Sequence, residues 1–195
     1  MKKSESEEQT LEQLLASLEI SNWDFLIVGD GSGSNWDREA AWTSVSIERV
    51  TGERIVWYGG LNRGTVNFAE IMAYIQPLNW LVTREEDRRR KNRKPRVQRI
   101  HIITDSDYCR QVGNRKDKNV TKNAALWAVF DVFVRQGLCI EWHWLRRNAC
   151  DLNTYCDQLS KLARRNMKKE RLQENAEDLS QKTIYDINVS DVDIV

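Results

Sequence analysis

The chain has 195 residues, 41% of them hydrophobic, with eight Trp among its aromatics. That length and composition suit one packed domain with tails and exclude an intrinsically disordered chain. The formal net charge of +1 hides an asymmetry, because residues 20–185 carry +7 while the acid concentrates in the two ends. A basic body of this kind favours polyanionic partners. The four cysteines, Cys109, Cys139, Cys150 and Cys156, lack the paired spacing of a zinc site and read as free thiols of a reducing cytoplasm. No stretch is long and apolar enough to span a membrane, and Met1-Lys2-Lys3-Ser4 leads into acidic residues rather than an apolar signal core.

In chain order, Leu11, Leu14, Leu15 and Leu18 predict one short amphipathic helix within an N-terminal extension, residues 1–20. A domain over residues 21–168 follows, then a helix end and loose acidic tail over 169–195, with one possible short strand at 183–189. Phe25-Leu26-Ile27-Val28 has the composition of a buried strand, and it stops at Asp30 before Gly31, Ser32, Gly33, Ser34 and Asn35, which read as a turn. Residues 42–47 and 55–58 complete an antiparallel meander of three strands. A helix over 67–75 puts Ile71, Tyr74 and Ile75 on one face, and Pro77 should kink or end it. The charged run 84–96 reads as a solvated helix end and loop, with a phosphate-contacting patch as the functional alternative.

Residues 97–104 form a fourth strand ending at Asp105 and Asp107. A polar connection over 113–122 leads to a helix at 124–134 that is apolar almost all round and should be deeply packed. Residues 138–145 make a fifth strand with Trp142 and Trp144 on one face. After Arg146-Arg147-Asn148 a long helix begins near Ala149, its buried face marked by Leu152, Cys156, Leu159 and Leu162. The order predicts an α/β fold: a five-stranded mixed sheet, three antiparallel strands then two further parallel ones, flanked by helices.

Four carboxylates fall where such an architecture concentrates function. Asp30 and Asp105 follow buried apolar runs, Glu70 sits among apolar helix neighbours, and Asp151 lies in the first turn of the last helix, where favourable charge at a helix N-terminus is the plainer explanation. Clustered carboxylates repel unless protonated or neutralised by cations. An all-oxygen set suits Mg²⁺ or Mn²⁺, and two such ions about 3.5–4 Å apart serve phosphodiester hydrolysis. The residues thus point to a metal-dependent nuclease.

From about residue 23 to 165 the chain resembles type 1 ribonuclease H. The motifs are Asp30-Gly31-Ser32, Glu70-Ile71-Met72-Ala73, Thr104-Asp105-Ser106-Asp107-Tyr108 and Ala149-Cys150-Asp151. Between the last two, Val120-Thr121-Lys122-Asn123 through Leu126-Trp127 and Glu141-Trp142-His143-Trp144 also match. The resemblance implies a ribonuclease H-like fold and a monomer that cuts the RNA strand of RNA–DNA hybrids internally. It would make Asp30, Glu70, Asp105 and Asp151 the ligands of Mg²⁺ or Mn²⁺. It also implies that Gly31, Ser32, Asn35 and Asn67 line the hybrid groove and that Thr65 holds a DNA phosphate. Three departures stand out. The family's loop His before the last acidic residue is missing; the basic, Trp-rich handle of some members is absent; and Asp107 stands where Gln is frequent. His101 and His143 lie inside predicted strands and read as packing or surface residues. The rival readings are a DNA-directed nuclease of the same fold, disfavoured by the lack of Asp-x-Glu in the first motif, and a non-catalytic hybrid- or RNA-binding module.

Overall fold

The computed structural model describes residues 10–34, 39–95, 97–114 and 122–174, with side chains described through residue 167. Five strands form one sheet: β1 (Phe25–Gly33), β2 (Ala40–Glu48), β3 (Arg54–Leu61), β4 (Arg99–Thr104) and β5 (Cys139–Trp144), in the spatial order β3-β2-β1-β4-β5. β2 runs antiparallel to β1 and β3, while β1, β4 and β5 are mutually parallel. This is the mixed sheet the sequence predicts.

Alternation along β1 sorts the core into two layers. Phe25 and Ile27 face one side, with α2 (Val66–Arg90), α3 (Asp107–Gly113) and α4 (Ala124–Arg135). Leu26 and Val28 face the other, with α1 (Leu11–Ser17) and α5 (Asp151–Glu174). Because both faces are covered, β1 reads as a continuous apolar run rather than an alternating one. The short first helix is docked, not frayed: Leu14 is buried in the second layer, and Thr10 and Gln13 close a capping box at the helix start.

Several elements differ from the sequence expectation. β1 does not turn at Asp30 but continues to Gly33, paired with β2 through Gly33↔Ala40. Its parallel partner β4 is already gone there, since that register ends at Val28↔Ile103. The small residues after Asp30 therefore serve close packing rather than a turn. A Cβ on Gly31 would lie 2.4 Å from the Glu70 backbone nitrogen, so only glycine lets α2 approach this closely. Pro77 neither ends nor breaks α2, which runs 25 residues to Arg90. Leu78 and Leu81 beyond it are fully buried, and that packing outweighs the one helical hydrogen bond proline removes.

The helix α4 is amphipathic rather than buried all round. Leu126, Trp127, Phe130 and Phe133 face the core, while Val134 is exposed. On α5 the buried positions are Asn153, Cys156, Asp157 and Ser160, whereas Leu162 is exposed. A polar helix face pressed on a sheet needs partners there. The expected strand at 183–189 lies outside the described residues, as does Asn35. Among the described residues no helix is long and apolar enough to cross a membrane.

The run 84–96 begins inside α2. Arg84 forms a forked pair with Glu48 of β2, at 3.1 and 3.2 Å, and stacks over Trp80; Arg88 lies 3.5 Å from Glu85 and Lys91 2.7 Å from Asp87. The Arg84–Glu48 pair fastens the far part of α2 to the sheet, about 21 Å along the helix from Glu70 at ~1.5 Å per residue, while the other two pairs lie within the helix.

Candidate metal centre

The site forms where the sheet changes character. Past Val28 the parallel strand β4 stops, and Asp105 follows its last residue, Thr104. Asp30 continues on β1 beside that opening, where crevices at the carboxyl ends of parallel strands hold ligands. Glu70, in the second turn of α2, is brought against Asp30 by the close approach at Gly31. One carboxylate oxygen from each of Asp30, Glu70 and Asp105 falls within 4.8 Å of the others. Asp30 is 1% exposed and Glu70 4%.

Burial and mutual repulsion dominate the electrostatics. Burial, then the neighbouring Asp105, pushes the Asp30 carboxyl up to about 6, against an opposing hydrogen bond from Ser160. Glu70 is held well above the usual carboxylate range by burial and by Asp30 and Asp105, although the Gly31 amide donates to it. Oδ1 of Asp30 and Oε2 of Glu70 are buried and accept no hydrogen bond. Buried carboxylate oxygens that accept no hydrogen bond, in a cluster this close, fit a hard divalent cation bound through oxygen.

The last helix contributes differently from expectation. Asp151 begins α5 but is exposed, and it stands outside the three-carboxylate group. Two turns on, Asp157 is buried, its Oδ1 accepts no hydrogen bond, and its negative charge helps raise Asp30. Ser160, one turn further, donates to Asp30 Oδ2 at 2.9 Å. Lys161 pairs with the other oxygen of Asp157 at 2.6 Å. The side of α5 that meets the site is thus Asp157 and Ser160. Reading only apolar spacing conceals it, and the signal that could find it is the i, i+3 polar pair beside Cys156.

Arg147 occupies the short β5–α5 connection. Its Nε lies 3.1 Å from Asp105 Oδ2 and its Nη2 3.6 Å from Asp30 Oδ1. The same connection is braced by Trp144 Nε1, which donates to the Asp105 carbonyl at 3.2 Å, and by the Asn148 amide, which donates to the buried Asn153 side chain at 2.7 Å. Asp107 does not join the cluster. It opens α3, exposed, with its carboxylate taken by Arg110 and Gln111.

The remaining predicted residues lie around the rim. Gly31 and Ser32 are buried on β1 next to Asp30. Thr65 is the exposed N-cap of α2, its hydroxyl accepting from the Phe68 amide at 3.1 Å, and Asn67 is exposed in the first turn.

The RNase H family model matches residues 23–165, which take in all of these groups. The chain belongs to the RNase H family. Solved RNase H structures share its fold at low identity. The N-terminal RNase H domain of rv2228c from Mycobacterium tuberculosis is 18% identical, with TM-score 0.57, covering 77% of this chain and 99% of that one. LC11-RNase H1, isolated from compost by a metagenomic approach and solved in complex with an RNA/DNA hybrid, is 15% identical with TM-score 0.61, covering 74% and 99%. RNase H1 from the halophilic archaeon Halobacterium salinarum NRC-1 gives 17% and 0.52, covering 73% and 98%. No curated protein sequence matches the chain.

Proposed function

We propose that this RNase H family member hydrolyses the RNA strand of RNA–DNA hybrids, with Mg²⁺ or Mn²⁺ held by Asp30, Glu70 and Asp105. The observation that carries the reading is the convergence of these three carboxylates at the carboxyl end of the parallel strands, with a buried oxygen of Asp30 and one of Glu70 that accept no hydrogen bond. The hybrid bound by LC11-RNase H1 supports the substrate class. Asp157, rather than Asp151, is the residue of α5 that completes the acidic set. A divalent cation held there would supply positive charge for activating water and stabilising the leaving oxygen. Ser160 holds the Asp30 carboxylate by its Oδ2, so Oδ1 would be the oxygen left to hold the cation. Glu70 is fixed by the Gly31 contact, and Asp105 by the brace from Trp144. Thr65 and Asn67, both exposed, provide the adjoining surface for the nucleic acid, above the buried Gly31 and Ser32, and there the 2′-hydroxyl separates RNA from DNA.

The test is cleavage of an end-labelled hybrid with Mg²⁺ and with Mn²⁺, beside duplex DNA and duplex RNA. Internal cleavage of the RNA strand is expected, lowered about 10²–10³-fold or more by Asp30→Asn. Asp157→Asn should cost about 10–100-fold, while Asp151→Asn stays near wild type. Equal sensitivity to Asp151→Asn would return that residue to the metal set. A hybrid that is bound but uncut with either ion would overturn catalysis in favour of a binding module.

A further inference from the structure

A second group of metal-ligating side chains lies on the sheet, away from the carboxylates of the candidate centre. His101 is on β4, and Glu141 and His143 are on the edge strand β5, in the register His101↔Glu141 and Ile103↔His143. In neighbouring parallel strands these positions project from the same face. It is the face of Ile103, covered by α1 and α5. His101 is 6% exposed, His143 is half-buried and Glu141 is open to solvent.

Their atoms converge. Nδ1 of His101 lies 2.8 Å from Nε2 of His143 and 3.8 Å from Oε2 of Glu141, and one ligand atom of each falls within 4.8 Å of the others. The two imidazole rings lie 5.0 Å apart and nearly parallel, at 27°. The outer nitrogen of His101 is already engaged: Nε2 is 3.2 Å from the carbonyl of Asn22, a group that can only accept. That bond places the ring proton on Nε2 and turns the Nδ1 lone pair towards His143 and Glu141. A backbone carbonyl fixing the far nitrogen is the arrangement that orients metal-ligating histidines.

We propose that His101, His143 and Glu141 form a binding site for a borderline transition ion, Zn²⁺ foremost, separate from the Mg²⁺ or Mn²⁺ centre. Zinc bonds of about 2.0–2.2 Å in tetrahedral array set ligand atoms roughly 3.4 Å apart. The observed 2.8 and 3.8 Å bracket that spacing, so small side-chain rotations suffice. In the ion-free protein a proton of His143 Nε2 fills the space between the rings. On binding, neutral His143 carries its proton on Nδ1 instead, and both imidazoles remain neutral. Water completes the coordination on the exposed side. Two imidazoles and one carboxylate select Zn²⁺, Co²⁺, Ni²⁺ or Cu²⁺ over Mg²⁺, which prefers oxygen alone. The ion would clip the edge strand β5 to β4 and, through Asn22, to the segment leading into β1. This inference does not rest on the proposed ribonuclease activity.

The experiment uses full-length protein stripped by a chelator, titrated with Zn²⁺ against a chromogenic competitor in excess Mg²⁺, and with Co²⁺ read by visible absorption. One equivalent of Zn²⁺ is expected, with the intense bands of four-coordinate Co²⁺, in both wild type and Asp30→Asn. His143→Ala, at a half-buried edge position, and Glu141→Gln, at an exposed one, should each weaken Zn²⁺ at least about tenfold while circular dichroism stays unchanged. Zn²⁺ that is lost in Asp30→Asn but kept in His143→Ala would place the ion among the acidic residues and overturn the proposal. So would failure of the stripped protein to compete for Zn²⁺ at all.

Discussion

At the scale of single residues, Arg147 has the most to reveal. It sets a guanidinium against the carboxylate cluster, and its contacts to Asp105 and Asp30 span the space between them. Those contacts raise the guanidinium further above its already high range, chiefly through the Asp105 hydrogen bond. Because Arg147 is 57% exposed, solvent screens the pair and limits its worth to about 0.5–1 kcal/mol. A divalent ion must compete with it for the same oxygens. Arg147→Ala should therefore lower the half-saturating Mg²⁺ or Mn²⁺ concentration by about two- to fivefold and leave the metal-free protein slightly less stable. Metal titration of the thermal midpoint measures both. An unchanged or higher half-saturating concentration would show that Arg147 assists binding instead of opposing it.

At the scale of elements, the approach of α2 to β1 sets the geometry of the centre. With a Cβ on residue 31 only 2.4 Å from the Glu70 nitrogen and 2.9 Å from Ala69 carbon, Gly31→Ala must push the first turns of α2 away. Overpacking against backbone costs about 1–3 kcal/mol or more. Chemical denaturation should show that loss, and calorimetric metal titration should show weaker binding because Glu70 moves with the helix. Retained metal affinity in a destabilised Gly31→Ala protein would separate the packing role from the ligand geometry. The sheet, Asp30 and Asp105 are legible in the sequence because apolar runs ending in acid mark strand ends in a doubly covered sheet, and Glu70 because it is an acid among apolar helix neighbours. Asp157 is not. Apolar spacing through Leu152, Cys156, Leu159 and Leu162 marks the buried face of its helix, and Cys156 is buried, yet the part of α5 that meets the centre is polar, since it meets carboxylates and not hydrocarbon. The same reasoning explains α3: seven residues opened by Ser106 and Asp107 carry too little periodicity to stand out. At Pro77 the converse holds, because local preference yields to tertiary burial. His101 and His143 lie on strands whose pairing in space no spacing along the chain reveals.

At the scale of the whole molecule, the buried carboxylates tie stability to pH and metal. Asp30 has its native value raised from 3.8 to about 6, and Glu70 is shifted in the same sense. The native state therefore holds protons that the unfolded chain has released, so metal-free stability falls as pH rises from about 4 through 6. For Asp30 alone the loss approaches 3 kcal/mol, at 1.36 kcal/mol per unit. Asp30→Asn removes that penalty. Without metal at pH 7 the variant should melt above wild type, and near pH 4 the two should converge. Addition of Mg²⁺ or Mn²⁺ should stabilise wild type at pH 7 and lose its effect towards pH 5, where protons occupy the same oxygens. A wild-type midpoint indifferent to metal at pH 7 would contradict the assignment of the centre.

The sheet order carries a consequence for how the molecule comes into being. β1 lies between β2, which follows it directly, and β4, which enters some seventy residues later. During synthesis the N-terminal meander is free to form early, whereas closing β4 and β5 onto β1 waits for long stretches of chain. Asp30 and Glu70 are then made long before Asp105 and Asp157 can join them. A partly synthesised chain consequently holds only part of the carboxylate set, and the proposed metal centre is completed as a late event of folding.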